Sequence, residues 1–520
     1  MSTIPVTARV RRKKAPDGGS TLTRWFGLLA ICFGIMTVFF NITATFTDLI
    51  PLQTALQISS PELIWVTSAY SLVIASLVLT GGTVGDLIGR RRLFLLGLLV
   101  LVGANLIIVF SASAVGAIAG QAIMGLGAAM MLPTSLAIVS HTFDDARERT
   151  QAIGLWAASS GVGMALGPLV AGAVLQTAGW NTVYIVPAVA AALVVVPARL
   201  FVTESRHPGR RLDIPGVVLA TLAILALVFA VIDGGHNGFG SPRIVGSFII
   251  AGLAVVAFII VELRASSPMM DLRLFRSSSY ASIMVIGVGS LFAFNALGLL
   301  LLFLFQRGQQ LSPADAGWRL LPLFLAFIVA SAAGPRLVHA IGVKLTITTG
   351  LLLLAAGSAV MLAIETATSY AAIWPILLVL GAGLGLLLAP TTAAAMQSVR
   401  REHAGMASAS VNMFRQIGGV LGASIIGTIL TSSFASELPR ELSRRAVPDP
   451  VVDAVVAAVA SGSSAQPPAG PVGAAVASAI SDSLTTAIHN GFVVVLIAAV
   501  VVAVPTLLFV HSRPAPPTAD

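Results

Sequence analysis

The stretch Gly82-Thr-Val-Gly-Asp86-Leu-Ile-Gly89-Arg90-Arg91-Arg92 lies between two long apolar runs, at 62–85 and 93–110. A short Gly-rich turn crowded with charge belongs at a membrane surface, because each charge at mid-bilayer costs about 3 kcal/mol or more. The runs on either side must then cross. A hydrocarbon core about 30 Å thick needs roughly 20 apolar residues per helix. Working outward from this turn gives fourteen such runs, at 25–50, 62–85, 93–110, 115–139, 151–176, 183–202, 213–233, 244–263, 280–306, 317–338, 345–365, 371–392, 404–433 and 490–511. They are continuous rather than alternating, which selects helices over a barrel, the other structure that satisfies its backbone in lipid.

Composition agrees with a polytopic membrane protein: 520 residues, 57% hydrophobic, 10% charged, with a mean hydropathy of +0.95. The net charge of +9 invites a nucleic-acid reading. It is set aside because the basic residues fall on alternate loops. One side receives Arg9, Arg11, Arg12, Lys13, Lys14, Arg24, Arg90–Arg92, Arg147, Arg149, Arg206, Arg210, Arg211, Arg264, Arg273, Arg276, Arg336, Lys344, Arg400 and Arg401; short loops on the other carry only Arg243 and Arg307. This positive-inside bias predicts that both termini are cytoplasmic and the protein multi-pass in the cell membrane. The first run is too long for a signal peptide and lacks a small-residue cleavage site, so it reads as a true span. Cys32 is the single cysteine and excludes an internal disulfide or a cysteine metal site. No metal and no cofactor are expected.

An internal echo divides the chain. Gly81-Gly82-Thr-Val-Gly-Asp86-Leu-Ile-Gly89-Arg-Arg is matched by Gly334-Pro335-Arg-Leu-Val-His339-Ala-Ile-Gly342-Val-Lys344, each following the second span of a six-span set. The expected organisation is a basic cytoplasmic tail at 1–23, a six-helix half at 24–202, two inserted helices at 203–264, a six-helix half at 265–511 and a cytoplasmic tail at 512–520. Within the second half, 434–489 reads as an extracellular loop rich in Ala, Ser, Pro and Val, with a weak amphipathic helix as its most order and no separate globular domain.

Several motifs occur in a fixed order. They are Pro61-Glu-Leu-Ile-Trp65-Val-Thr-Ser-Ala-Tyr70, the loop at 82–92, Gly163-Met-Ala-Leu-Gly167-Pro168-Leu-Val-Ala-Gly172, Leu212-Asp213-Ile-Pro215-Gly216, Pro268-Met-Met-Asp271-Leu-Arg273-Leu-Phe275, Ala404-Gly405-Met-Ala-Ser408, and Asn412-Met-Phe-Arg415-Gln416-Ile-Gly418-Gly419. Together they resemble the 14-helix drug:proton antiporters of the major facilitator superfamily, the EmrB/QacA type, from Pro51 to the last span. The resemblance implies an all-α major facilitator fold of two six-helix halves plus two inserted helices. It also implies a secondary transporter, not an enzyme, that exports hydrophobic or amphipathic drugs or toxic compounds by alternating access and proton antiport. A monomer is expected in the bilayer, with the small substrate and protons as its other partners.

Individual residues carry this reading unequally. Asp86, with Gly82, Gly89, Arg90 and Arg91, forms the gating loop. A helix N-terminus attracts a carboxylate by up to about 1 kcal/mol, so Asp86 is expected near the start of span thirteen, around Ala404; the plain alternative is a topology-setting turn. Gly163, Gly167 and Gly172 clear one helix face and Pro168 removes a donor, giving either generic packing or a hinge or seal. Arg415, about 18 Å into its span, must face the central cavity or a polar network, with Asn412 on the same face. A hydrogen-bonding role and a substrate contact are both open.

The sequence also departs from the family pattern. Ile42 stands where a span-one Asp is usual, Gln121 where a span-four Arg is usual, and Leu87 replaces a basic residue of the loop. The polar residues left in span one are Asn41 and Asp48. Asp48 is either a proton-binding carboxylate or an interfacial one. Phe39, Trp65, Tyr70, Met124, Trp156 and Phe414 are candidates to line an apolar substrate cavity. Other functions fit less well. Lys13, Lys14 and Lys344 never follow glycine, so there is no nucleotide-binding loop. A membrane transferase acting on diphosphates needs paired acidic clusters for Mg²⁺, and Asp144-Asp145-Ala-Arg-Glu148 stands alone. Export of an endogenous lipid or natural product remains the alternative within the family.

Overall fold

The computed structural model describes residues 21–143, 145–206, 212–265, 268, 270–399, 404–460 and 470–510. Most of both expected tails, Asp144 of the acidic cluster, and Arg210, Arg211, Arg400 and Arg401 lie outside them. The described chain is helical: α1 Thr21–Leu56, α2 Ser60–Ile88, α3 Arg90–Val109, α4 Ala114–Thr142, α5 Ala146–Thr177, α6 Thr182–Phe201, α7 Ile214–Asn237 and α8 Pro242–Arg264. A 3₁₀ turn at Leu272–Arg276 leads into α9 Ser278–Leu302, which passes into a π-helical turn at Phe303–Gly308. Then come α10 Pro313–Arg319, α11 Leu321–Met361, α12 Tyr370–Gln397, α13 Ala404–Arg444, α14 Asp449–Ala460 and α15 Pro471–Phe509.

Local chemistry sets the boundaries. Ser59 N–H donates to Glu62 Oε2 at 2.9 Å, and the Asp213 carboxylate accepts from Gly216 N at 2.9 Å, each satisfying an otherwise orphaned helix-start donor. Among the described residues thirteen helical stretches have the length and hydropathy of a span, and one of them runs from Pro313 to Met361, far too long for a single crossing. It breaks at Gly342, where φ is +84°. Gly89, between α2 and α3, has φ +115°. The two glycines hold the same place in the two copies of the echoed motif, so the repeat in sequence is a repeat in backbone conformation. With α11 counted as two crossings, the spans among the described residues number fourteen.

The two six-helix sets share a packing device. α1 lies on α5, and α9 on α13. A Cβ on Gly163 would come 2.4 Å from the Met36 carbonyl oxygen and one on Gly167 2.9 Å from that of Phe40. On α13, a Cβ at Gly418 would come 1.9 Å from the Val288 oxygen and one at Gly422 2.5 Å from that of Phe292. Glycines four apart therefore seat one helix on the carbonyls of its partner in both sets, the close approach that small residues permit in lipid. α7 packs on both α2 and α13: Ile224, Val228 and Ile232 cluster with Ile64, Leu72 and Val420, and Thr428 Oγ1 donates to the Val231 carbonyl at 3.3 Å. α8 lies outside it and exposes Phe248, Ile249, Leu253 and Ile260, an apolar face suited to lipid.

The segment expected as a loop is largely helical. α13 has 41 residues and α15 has 39, about 60 Å each, roughly twice the hydrocarbon thickness. Their extensions and α14 bury Leu438, Leu442, Val447, Val455, Val476 and Ala479 in a core of their own. Alternating Ala and Val residues read as loop because their apolar face is intelligible only once three helices meet.

Candidate functional site

At the arginine-rich face, the stretch 82–92 expected as a loop is instead the last turns of α2, a single-residue turn at Gly89 and the start of α3, and it is tied into the first helix set. Asp86 pairs with Arg90 one turn later, at 2.8 Å, and Arg90 also donates to the Ala137 carbonyl of α4 at 3.4 Å. Glu204, just past α6, accepts from Arg91 N at 3.1 Å and lies within 4 Å of the Arg91 and Arg92 guanidinium groups. Sequence reasoning did not find Glu204, since its partners lie more than a hundred residues away along the chain. Asp86 thus has its partner in Arg90; residues 400–403 and the side chains that begin α13 lie outside what the structure describes.

At the opposite, distal face the two sets meet. A Cβ on Gly172 of α5 would come 2.5 Å from Cα of Ala314 in α10, and one on Gly317 would come 2.5 Å from the Pro168 carbonyl oxygen. The glycines at 163–172 therefore do not clear a single face, because nine residues of helix put Gly163 and Gly172 on opposite sides. Gly163 and Gly167 seat α5 on α1, while Pro168 and Gly172 form the contact with α10. Beside it, Gln306 Nε2 donates to the Thr47 carbonyl at 3.0 Å and Arg307 donates to Gln53 Oε1 at 2.9 Å, both reaching from the π turn to α1.

Asp48 follows Thr47 but turns away from that boundary. It is 0% exposed, and neither carboxylate oxygen has a hydrogen-bond partner. The buried Tyr184 hydroxyl of α6 stands beside it, near Thr45 and Gln121, without meeting hydrogen-bond geometry. Gln121 Nε2 donates to Thr45 Oγ1 at 3.0 Å. Asp48 is therefore enclosed by the first helix set rather than open to the surface. Two of the three polar positions singled out in the first set, Asp48 and Gln121, converge on Tyr184 here; Asn41 instead donates to the Thr37 carbonyl at 2.9 Å within its own helix.

In the second set Arg415 is buried and donates to the Leu388 carbonyl of α12, with its Cγ 3.7 Å from where a Cβ on Gly287 of α9 would lie. Among the described residues it has no ion pair. Asn412 is half-buried one turn earlier. The aromatic candidates separate. Tyr70 is buried and donates to the Val38 carbonyl at 3.1 Å, Met124 is buried in the core, and Trp156 Nε1 donates to Ser135 Oγ at 3.0 Å. Trp65 packs in the cluster with α7 and α13, Phe414 lies tilted against Phe275 with ring centres 5.7 Å apart, and Phe39 is half-buried against the main core.

A cavity lies between the sets beneath the distal contacts. α1 contributes Thr43, Phe46 and Thr47; α5 contributes Pro168; α9 contributes Phe294, Leu297 and Leu301; the α10–α11 corner contributes Leu323 and Phe324. Two hydroxyl side chains interrupt an otherwise apolar wall that carries no charge. Of the residues singled out from sequence only Pro168 belongs to it, because in a span of continuous hydrophobicity no periodic signal separates a cavity face from a lipid face.

Comparison with known proteins points the same way. A family model for the Major Facilitator Superfamily matches residues 29–423. The chain is 32% identical over 411 residues to the multidrug resistance protein Stp of Mycobacterium tuberculosis, covering 79% of this chain and 76% of that one. It is 31% identical to a methylenomycin A resistance protein of Bacillus subtilis, covering 78% and 87%. With a tetracenomycin C resistance and export protein of Streptomyces glaucescens the identity is 29%, covering 80% and 78%. A bacterial homolog of the human lysosomal transporter Spinster, solved inward-facing and unoccupied, superposes with a TM-score of 0.63 at 16% identity, over 96% of this chain and 100% of that chain, a likeness of fold. The ordered motifs, the paired glycine seats in the two helix sets and these relatives converge: the chain belongs to the major facilitator superfamily and is a membrane transporter, not an enzyme.

Proposed function

We propose that this secondary active drug exporter couples export to proton entry, with Asp48 as the proton-binding group. Relatives named for multidrug resistance and for resistance to individual antibiotics support drugs as substrates, and the uncharged cavity wall favours apolar ones. The single observation that carries the coupling is the fully buried Asp48 carboxylate with both oxygens unpartnered. A carboxylate stripped of water is tolerated as a neutral acid or beside a cation, and costs several kcal/mol as a lone anion. Thr45, Gln121 and Tyr184 are neutral. A proton taken up when the site is wetted from the distal side and released when it is wetted from the arginine-rich side gives antiport by alternating access.

The arginine-rich face is the cytoplasmic one in this reading, by the positive-inside bias. Both termini then lie in the cytoplasm and the distal face is outside the cell membrane. The drug binds between the sets, in the space that the cavity there opens into as they rock apart; Pro168 and Gly172 seal it on the outside, and the segment 82–92 acts as the inner gate. The transporter works as a monomer.

The test is proton flux in proteoliposomes on addition of drug, for the parent protein and Asp48→Asn. Drug-dependent flux in the parent and none in Asp48→Asn supports the assignment. Equal flux in both overturns it, and efflux in cells that persists after an uncoupler removes the gradient overturns proton coupling altogether.

A further inference from the structure

We propose that Gln306 and Arg307 are gate residues that hold the distal face shut by gripping the turn of α1 on which Asp48 stands. The link to Asp48 rests on the proton-site reading above; the gate itself rests on geometry alone.

The sequence Phe303-Leu-Phe-Gln-Arg-Gly308 ends α9 as a π turn, with Gln309 N–H donating to the Leu304 carbonyl at 2.8 Å. A π turn inserts an extra residue into the helical ladder and rotates the residues beyond it, and such turns collect at functional sites. Here the rotation sends two long polar side chains across the boundary between the helix sets. Gln306 reaches the carbonyl of Thr47 and Arg307 the side-chain oxygen of Gln53, about two turns apart on α1. Asp48 lies between these two anchor points. When the sets rock apart on this side both bonds must break, and the α1 turn that buries Asp48 loses its external support in the same movement.

The acceptors are a backbone carbonyl and a neutral amide. A guanidinium held by a carboxylate makes a stronger bond, because both partners then carry charge. The neutral amide of Gln53 therefore makes a latch weak enough to release in each cycle. The π turn is itself braced on its own set: Gln309 donates to the Thr368 carbonyl at 2.9 Å and accepts from Arg319 at 2.6 Å. The latch is thus rigid on one side and moves as a unit with the second set.

Opening is read with full-length protein in whole cells, in a Cys32→Ser background carrying Leu301→Cys, a reporter in the cavity beneath the latch. A membrane-impermeant maleimide is added outside and the labelling rate is measured, alongside drug export. The paired change Gln306→Leu with Arg307→Gln should raise labelling several-fold and lower export. Gln53→Glu, which turns the latch into an ion pair, should slow both labelling and export. Parent-rate labelling in Gln53→Glu overturns the gate, whether or not the paired variant folds. Labelling is measured with the proton gradient collapsed, so it is decided independently of Asp48. Undiminished proton flux in Asp48→Asn would instead remove the link to Asp48 while the labelling rates decide the gate.

Discussion

A Cβ placed on Gly89 would lie 2.7 Å from the Glu204 carboxylate, at a backbone φ of +115°. Two constraints therefore coincide at one residue of the loop that decides the fold. Gly89→Ala carries a backbone strain of about 1–3 kcal/mol and also displaces Glu204 from Arg91. The expected result is a lower melting temperature in detergent and reduced export. Adding Glu204→Ala relieves the clash and leaves the strain, so the double variant should recover part of the loss. A Gly89→Ala protein as stable as the parent would show that the turn relaxes without cost.

The glycine seats are predicted to be sharper still. Gly418→Ala would put a methyl 1.9 Å from the Val288 carbonyl oxygen, backbone against backbone, which no side-chain rotation relieves. α9 and α13 must separate, at a cost of about 1–3 kcal/mol by the usual scale of overpacking. Gly163→Ala in the first set should behave alike. Gly103→Ala, with nothing within 4 Å, is the matched control and should leave stability unchanged or slightly raised. Thermal unfolding of the three variants side by side decides it.

For Asp48→Asn the shape of the side chain is kept and its proton is lost. Drug binding should persist within a few-fold while drug-driven proton flux falls to background. Tyr184→Phe removes a neighbouring hydroxyl and should leave flux present at a reduced rate. Loss of drug binding together with flux in Asp48→Asn would mark a structural defect instead.

The helical extension at the distal face should unfold without the spans. Leu442 is fully buried in its small core, and Leu442→Ala is expected to cost about 2–5 kcal/mol. Hydrogen exchange should rise across 434–460 and the start of α15, while amides of α1–α12 keep their protection. Exchange that rises throughout would show that this body and the spans form one cooperative unit.

Sequence alone determined the spans, the family and the turns between helices. Apolar runs of bilayer length, glycines at tight turns and alternating loop charge each leave a local mark in the chain, because a lipid solvent imposes them residue by residue. The echo at Gly334–Lys344 even marked the break at Gly342. Tertiary structure decided the rest. Glu204, the π turn aimed at Thr47 and Gln53, the burial of Asp48 against Tyr184, and the cavity of Phe46, Phe294 and Phe324 all depend on helices distant in sequence. In a span that is apolar all round, periodicity does not say which face meets lipid, a partner helix or a substrate. Only the packing of two helix sets against each other makes that choice.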